Sequence, residues 1–202
     1  MPMADAQLIH VSPAQLRKDL RQRRRMLSVT YRKLAARRVK TLFARSGWLR
    51  SGQRIAVYLA TSEELDLQPL IELAWRNGCR IFIPHITHTR RRRMAFHAYH
   101  ANTKLVTHRW GIKQPATLSA PVATRTLDAV LLPTVGFDHA GHRLGMGGGF
   151  YDRHFANLHH TRLRKPVLIG VAYACQEVPA IEAQPHDIQL DAILTERTFS
   201  HF

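Results

Sequence analysis

PTVGFDHAGHRLGMGGGFYDR, residues 133–153, carries four of the chain's eleven glycines between Gly145 and Gly149, directly after the apolar run 129–132 and directly before a helical pattern. Glycine loses more conformational entropy on folding than any other residue, about 0.5–1 kcal/mol relative to alanine in regular structure. A cluster of it implies backbone at φ > 0, or a close approach by another group. Strand, glycine-rich loop and helix start, in that order, form a recurrent anion site in which loop N–H groups and the helix N-terminus converge on phosphate oxygens. With Arg143 on one side and Asp152 on the other, the segment points to a phosphorylated ligand accompanied by a metal. It is not a Walker A loop, because no lysine follows the glycines, and not a GxGxxG fingerprint, because the sixth position from Gly145 is Phe150.

Outward from this loop the chain reads as α/β. Ser12-Pro13 supplies an N-cap and a first-turn proline for a helix that continues through Leu16, Leu20 and several arginines. Ser28 or Thr30 can cap a second helix through Leu34, Ala35, Val39 and Leu42, ending near Gly47, so the N-terminus is a helical pair. A buried strand at 55–59, a helix at 67–77 ended by Gly78 and a strand at 80–84 make a parallel crossover unit. Residues 94–100 alternate like an edge strand, and 101–126 read as a long irregular stretch. Strands at 128–132, 167–173 and 192–194 complete the sheet, with a small hairpin turning at 138–141 and a helix starting at Gly149. The expected fold is a mostly parallel central sheet flanked by helices, with residues 1–202 in a single domain.

The chain has 202 residues and a net charge of +16, from 30 Lys plus Arg against 14 Asp plus Glu. No apolar segment approaches the ~18 residues needed to span a bilayer, and residues 1–10 lack the pattern of a signal peptide, so the expectation is a cytoplasmic protein without membrane contact. Cys79 and Cys175 have no paired spacing and read as ordinary thiols. The basic excess, concentrated in 17–25, 32–45 and 90–93, is a solvated face or a field that draws an anionic ligand. Nucleic acid is disfavoured as a partner, because basic residues do not alternate with aromatics and neither an RNA-recognition signature nor a zinc finger is present. Three HxxH spacings, at 85/88, 97/100 and 139/142, lack the glutamate of a zincin motif.

Phe137-Asp138 through Gly141, followed by Arg143-Leu144-Gly145-Met146-Gly147-Gly148-Gly149-Phe150-Tyr151-Asp152, is similar to the FDxxGxRLGxGxGYYD signature of the 5-formyltetrahydrofolate cyclo-ligases, also called methenyltetrahydrofolate synthetases. The resemblance extends to Arg17 and Arg21, Glu64-Leu65-Asp66, Trp110-Gly111-Ile112 and the segment from His186 to Asp191. Departures from the family include Gly148 and Arg17, which stand where lysine is common, and Leu67, where threonine is common. Arginine keeps the charge of lysine but changes its geometry.

The resemblance implies ATP- and Mg²⁺-dependent closure of 5-formyltetrahydrofolate, with or without a polyglutamate tail, to 5,10-methenyltetrahydrofolate, releasing ADP and phosphate. The formyl oxygen is phosphorylated and N10 attacks. It further implies a monomer in which Arg143 and Tyr151 are catalytic. ATP would be held by Arg17, Arg21, Arg143, Leu144, Gly145, Met146, Gly147, Gly148, Gly149, Phe150 and Tyr151. The folate would meet Leu59, Glu64, Trp110 and Tyr151, and Asp152 with Asp187 would hold the metal. Each has a plainer reading: a turn arginine for Arg143, a dipole-complementing acid for Asp152, a turn acid for Asp187, neighbouring surface arginines for Arg17 and Arg21, and core packing for the aromatics. A second class of function, a basic nucleotide- or RNA-binding module that keeps the loop without catalysis, would give no reason for Glu64, Asp152 and Asp187. With glycine at 148, Arg143 and Arg21 are expected to matter more for phosphate.

Overall fold

The computed structural model describes residues 12–108, 111–156 and 165–202. Ser12 caps α1 (Pro13–Arg25) by accepting from the Gln15 N–H, and Ser28 caps α2 (Val29–Arg45) by accepting from the Tyr31 N–H, both at 3.2 Å. The crossover β1 (Arg54–Ala56), α3 (Gln68–Arg76), β2 (Arg80–His88) is parallel as expected, with Ile55 opposite Ile81. β3 (Arg93–Tyr99) returns antiparallel along β2. The stretch expected to be irregular holds a hairpin of β4 (Leu105–Thr107) and β5 (Lys113–Pro115), whose three-residue strands are too short to show a period. β6 (Ala129–Pro133) runs into a second hairpin, β7 (Gly136–Phe137) and β8 (Arg143–Leu144), then α4 (Phe150–Phe155), β9 (Val167–Val171), β10 (Ala192–Leu194) and an antiparallel edge, β11 (Phe199–His201).

The main sheet has the order β11-β10-β9-β6-β1-β2-β3, parallel within and antiparallel at both edges. Both faces are covered, so its strands alternate between two cores instead of between core and water. Ile81, Ile83, Leu131 and Ile169 face one side, where Ala35, Val39 and Phe43 of α2 and Leu70, Ile71 and Ala74 of α3 cover them. Phe82, Val130, Leu132 and Leu168 face the other, with Phe96, Phe155 and Leu190. Each fully buried aliphatic side chain contributes about 1.5–3 kcal/mol. Among the described residues no helix is long and apolar enough to cross a membrane, and both cysteines are free.

α1 has few apolar residues and docks by other means. Leu20 is fully buried with Val135, Leu144, Val178 and Ile181. It sits so close to β7 that a Cβ on Gly136 would lie 2.5 Å from its Cδ1, so a larger residue there would force the Leu20 side chain to shift. Glu63, in the segment after β1, accepts from Arg24 at 2.9 Å, Arg21 at 3.2 Å and Arg25 at 2.5 Å. Burial alone would raise the Glu63 pKa, but the hydrogen bonds from the three arginines prevail and hold it at about 2.

Because that pKa is depressed, the stabilisation is complete above the ordinary carboxyl value of 4.5 and is lost as pH falls toward 2. Glu63→Gln, which leaves the nearly buried Arg24 without its carboxylate, is expected to cost about 3 kcal/mol at pH 6. Urea unfolding of wild type and variant should show this gap at pH 6 and less than half of it at pH 3, while an equal gap at both would rule out the ionic tether.

Candidate functional site

β2 lies on one side of β1 and β6 on the other, so the strand order reverses between β1 and β6. In open α/β sheets such a reversal leaves a crevice outside the carboxyl ends of the strands. Here that crevice has a volume of about 400 Å³ and is walled by Tyr58, Leu59 and Glu64 after β1, by the loop 145–149, and by Tyr151 and Asp152 of α4. A second cavity of about 570 Å³ adjoins it and shares Tyr58, Leu59, Thr61 and Glu64 as a common wall.

The glycine loop is fixed from below. Asp138, almost wholly buried in the turn between β7 and β8, accepts from the N–H groups of Ala140, His142 and Ile181 and from His142 Nδ1, all at 2.9–3.0 Å. Burial opposes its ionisation, but these donors outweigh burial and keep its carboxyl below the ordinary value. β8 then delivers Arg143, which is 7% exposed. Its Nη2 donates to Asp152 Oδ1 at 2.5 Å, and its Nε has no hydrogen-bond partner among the described residues. A Cβ on Gly145 would lie 2.9 Å from Arg143 Nη1, so glycine there makes room for the guanidinium beneath the loop. Gly147 and Gly149 have φ of +86° and +62°, conformations that side chains disfavour. The sequence pointed to the helix dipole as well, but α4 has only six residues, so an anion placed here would meet chiefly the loop amides and arginines.

The expected ATP residues separate in space. Arg17 donates from Nε to the Gly145 carbonyl at 2.8 Å and lines the crevice. Arg21, one turn on, is turned to Glu63 and does not line it. Leu144 is buried with Leu20 of α1 and also borders the crevice, whereas Met146 is exposed. Gly148 and Phe150 complete the loop wall.

Of the expected folate residues, Leu59, Glu64 and Tyr151 share the crevice and Trp110 lies outside the described residues. Glu64 Oε2 accepts from the Thr61 N–H at 2.9 Å and from the Thr61 hydroxyl at 3.0 Å, which fixes the carboxylate between the two cavities. Burial, followed by the Glu64 charge, drives the Tyr151 phenol well above its ordinary range, with Arg143 pulling weakly the other way. Tyr58, held by its hydroxyl to the Leu65 carbonyl at 2.7 Å, is raised by the same two causes. Both phenols therefore keep their protons at neutral pH and act as donors, not bases.

Asp152 and Asp187 line the same crevice, Asp187 taking the Gln184 N–H at 2.9 Å. No group of three or more His, Cys, Asp or Glu able to hold a metal occurs among the described residues. Two carboxylates lining the same crevice as a glycine loop nonetheless suit Mg²⁺, which takes one or two carboxylates and completes its shell with phosphate and water. Asp191, left out of the metal pair, accepts from the Leu168 N–H and fixes the sheet. Tyr58 and Arg153 line the crevice without having been picked from sequence, and Arg92 does so as one member of the basic run 90–93, read from sequence only as a solvated face or an anion-attracting field. Tyr58 adjoins Leu59 and could have been found by proximity, but nothing in four consecutive arginines singles out Arg92.

A family model described as the 5-formyltetrahydrofolate cyclo-ligase family matches residues 10–196. The chain is 35% identical over 177 residues to the 5-formyltetrahydrofolate cyclo-ligase of Escherichia coli K12, covering 87% of this chain and 96% of that one. It is 27% identical over 194 residues to the mouse protein of the same name, covering 90% and 92%. Among solved structures, the Aquifex aeolicus 5,10-methenyltetrahydrofolate synthetase superposes with a TM-score of 0.78 at 25% identity, covering 94% of this chain and 92% of that one. The Mycoplasma pneumoniae synthetase shares the fold at a TM-score of 0.71 and 24% identity, covering 92% and 99%. Match length, order of motifs and fold agree: the chain belongs to the 5-formyltetrahydrofolate cyclo-ligase family.

Proposed function

We propose that the protein uses ATP to cyclise 5-formyltetrahydrofolate to 5,10-methenyltetrahydrofolate. The observation that carries this reading is the single crevice in which the Arg143-backed glycine loop faces Glu64, Tyr58 and Tyr151. A phosphate cradle and a carboxylate with aromatic walls within reach of each other are what transfer from a nucleotide to a flat heterocycle requires.

A formamide oxygen is a poor leaving group and must be activated. In the proposed reaction the formyl oxygen attacks the γ-phosphorus, the bridging P–O bond breaks and ADP leaves. N10 then attacks the resulting iminium carbon, the C–O bond breaks to release phosphate, and N10 loses its proton. Phosphoryl transfer of this kind depends mainly on positioning and charge neutralisation. Arg143, rigid beneath the loop, lies against the charge that develops on the phosphoryl oxygens, and the N–H groups of 145–149 supply further donors. Arg17 holds the loop through the Gly145 carbonyl. The Glu64 carboxylate accepts from the amino and ring N–H groups of the pterin, and Tyr151 donates a hydrogen bond to the formyl or phosphoryl oxygen. Asp152 and Asp187 would hold Mg²⁺, which when bound neutralises phosphate charge. Asp152, which accepts from Arg143, would link that ion to the guanidinium.

Appearance of the methenyl chromophore should depend on ATP, Mg²⁺ and 5-formyltetrahydrofolate together, and no turnover with all three present would overturn the reading. Arg143→Ala and Asp152→Asn should each lower kcat about 10²–10³-fold in protein that keeps its circular dichroism. Tyr151→Phe should cost about tenfold, the worth of one hydrogen bond of about 1.4 kcal/mol. Because its phenol stays protonated, the variant's kcat profile between pH 6 and pH 9 should parallel the wild type. A basic limb that disappears in the variant would make Tyr151 a base instead.

A further inference from the structure

Four arginines line the crevice: Arg17, Arg92, Arg143 and Arg153. Arg143 is held by Asp152 and Arg17 by the Gly145 carbonyl. Arg153 projects from a regular helical position in α4. Arg92 differs in its backbone. At φ +50° it is the one non-glycine residue with positive φ among the described residues. The left-handed region disfavours side chains, and asparagine or glycine ordinarily fills it in a turn.

The turn that imposes this conformation joins β2 to β3. The Arg92 N–H donates to the Thr89 carbonyl at 3.2 Å, and the Arg91 N–H to His88 Nδ1 at 3.1 Å. Of the four consecutive arginines, Arg90, Arg91 and Arg93 do not line the crevice. Arg92 does, and its Nη1 lies 3.5 Å from where a Cβ on Gly149 would stand. Its guanidinium thus hangs over the glycine loop, with neither an ion pair nor a side-chain hydrogen bond to a described residue. Strained backbone that persists where a functional group is aimed at a site signals a role for that group.

We propose that Arg92 is a phosphate-binding residue of this crevice, supplied by the β2–β3 hairpin to the terminal phosphates of a nucleoside triphosphate and standing in for a cation that Gly148 cannot provide. The inference rests on the ATP-dependent reading above. Arg92 stands at the Gly149 end of the loop and Arg143 at the Gly145 end, so the two guanidiniums would meet the phosphates at different points along it. Arg21, turned to Glu63, does not share this task.

Calorimetric titration of ATP with Mg²⁺ into wild type, Arg92→Gly and Arg90→Ala tests it. Arg92→Gly should weaken ATP about 10- to 100-fold, the range of one charge-assisted hydrogen bond, and leave AMP within twofold. Its Tm should be unchanged or higher, because glycine tolerates the turn, whereas a structural arginine would lower Tm on removal. Arg90→Ala should bind as wild type does. Adding Gly148→Lys to Arg92→Gly should restore most of the lost ATP affinity, since position 148 is not at positive φ and an added Cβ meets only the Phe150 ring at 3.1 Å. Equal ATP affinity in wild type and Arg92→Gly, an equal loss in Arg90→Ala, or no recovery on adding the lysine would each overturn the inference while leaving the reaction assignment intact. A wild type that binds no ATP would overturn both.

Discussion

A guanidinium removed from water must be answered by negative charge, and Arg143 is 7% exposed with one carboxylate against it. An uncompensated buried charge costs several kcal/mol, so the pairing with Asp152 ties the end of β8 to the first turn of α4 whatever else the loop does. The loop between them has no freedom to collapse. Glycine at 145 admits the guanidinium, and glycines at 147 and 149 turn the chain over it. The loop's shape follows from the buried ion, and the crevice follows from the loop.

α1 connects this arrangement to the rest of the fold. Its Leu20 packs closely against Gly136 of the β7–β8 hairpin, and its arginines divide the work by helical position. Arg17 faces the loop, while Arg21, Arg24 and Arg25 converge on Glu63 in the segment that leads to Glu64. The same helix thereby fixes the glycine side of the crevice and the start of its opposite wall. Much of the chain's high positive charge around α1 is thus structural, which weakens any inference from charge alone to nucleic acid.

The sheet was legible because strands buried on both faces read as apolar runs between glycine and proline stops, as 129–132 and 80–84 do. β4, β5 and β11, three residues each and without a period of their own, were not. Within the site, the order Arg143, glycines, Tyr151, Asp152 is local and could be read along the chain. The separation of Arg17 from Arg21 depends on Glu63, 42 positions from Arg21, whereas the family resemblance implied that both would hold ATP. The position of Arg92 depends on a positive φ in a hairpin turn, which four identical residues in a row do not disclose.

Two cavities that share Glu64 as a wall, one bordered by the glycine loop, favour a reaction in which nucleotide and folate react directly with each other. The fate of the formyl oxygen tests that claim most directly. With 5-formyltetrahydrofolate labelled by ¹⁸O in the formyl group, a single turnover by the wild-type protein should place the label in inorganic phosphate, one atom per methenyl product. Label appearing in water, with none in phosphate, would contradict phosphorylation of the formyl oxygen and with it the assignment of the crevice.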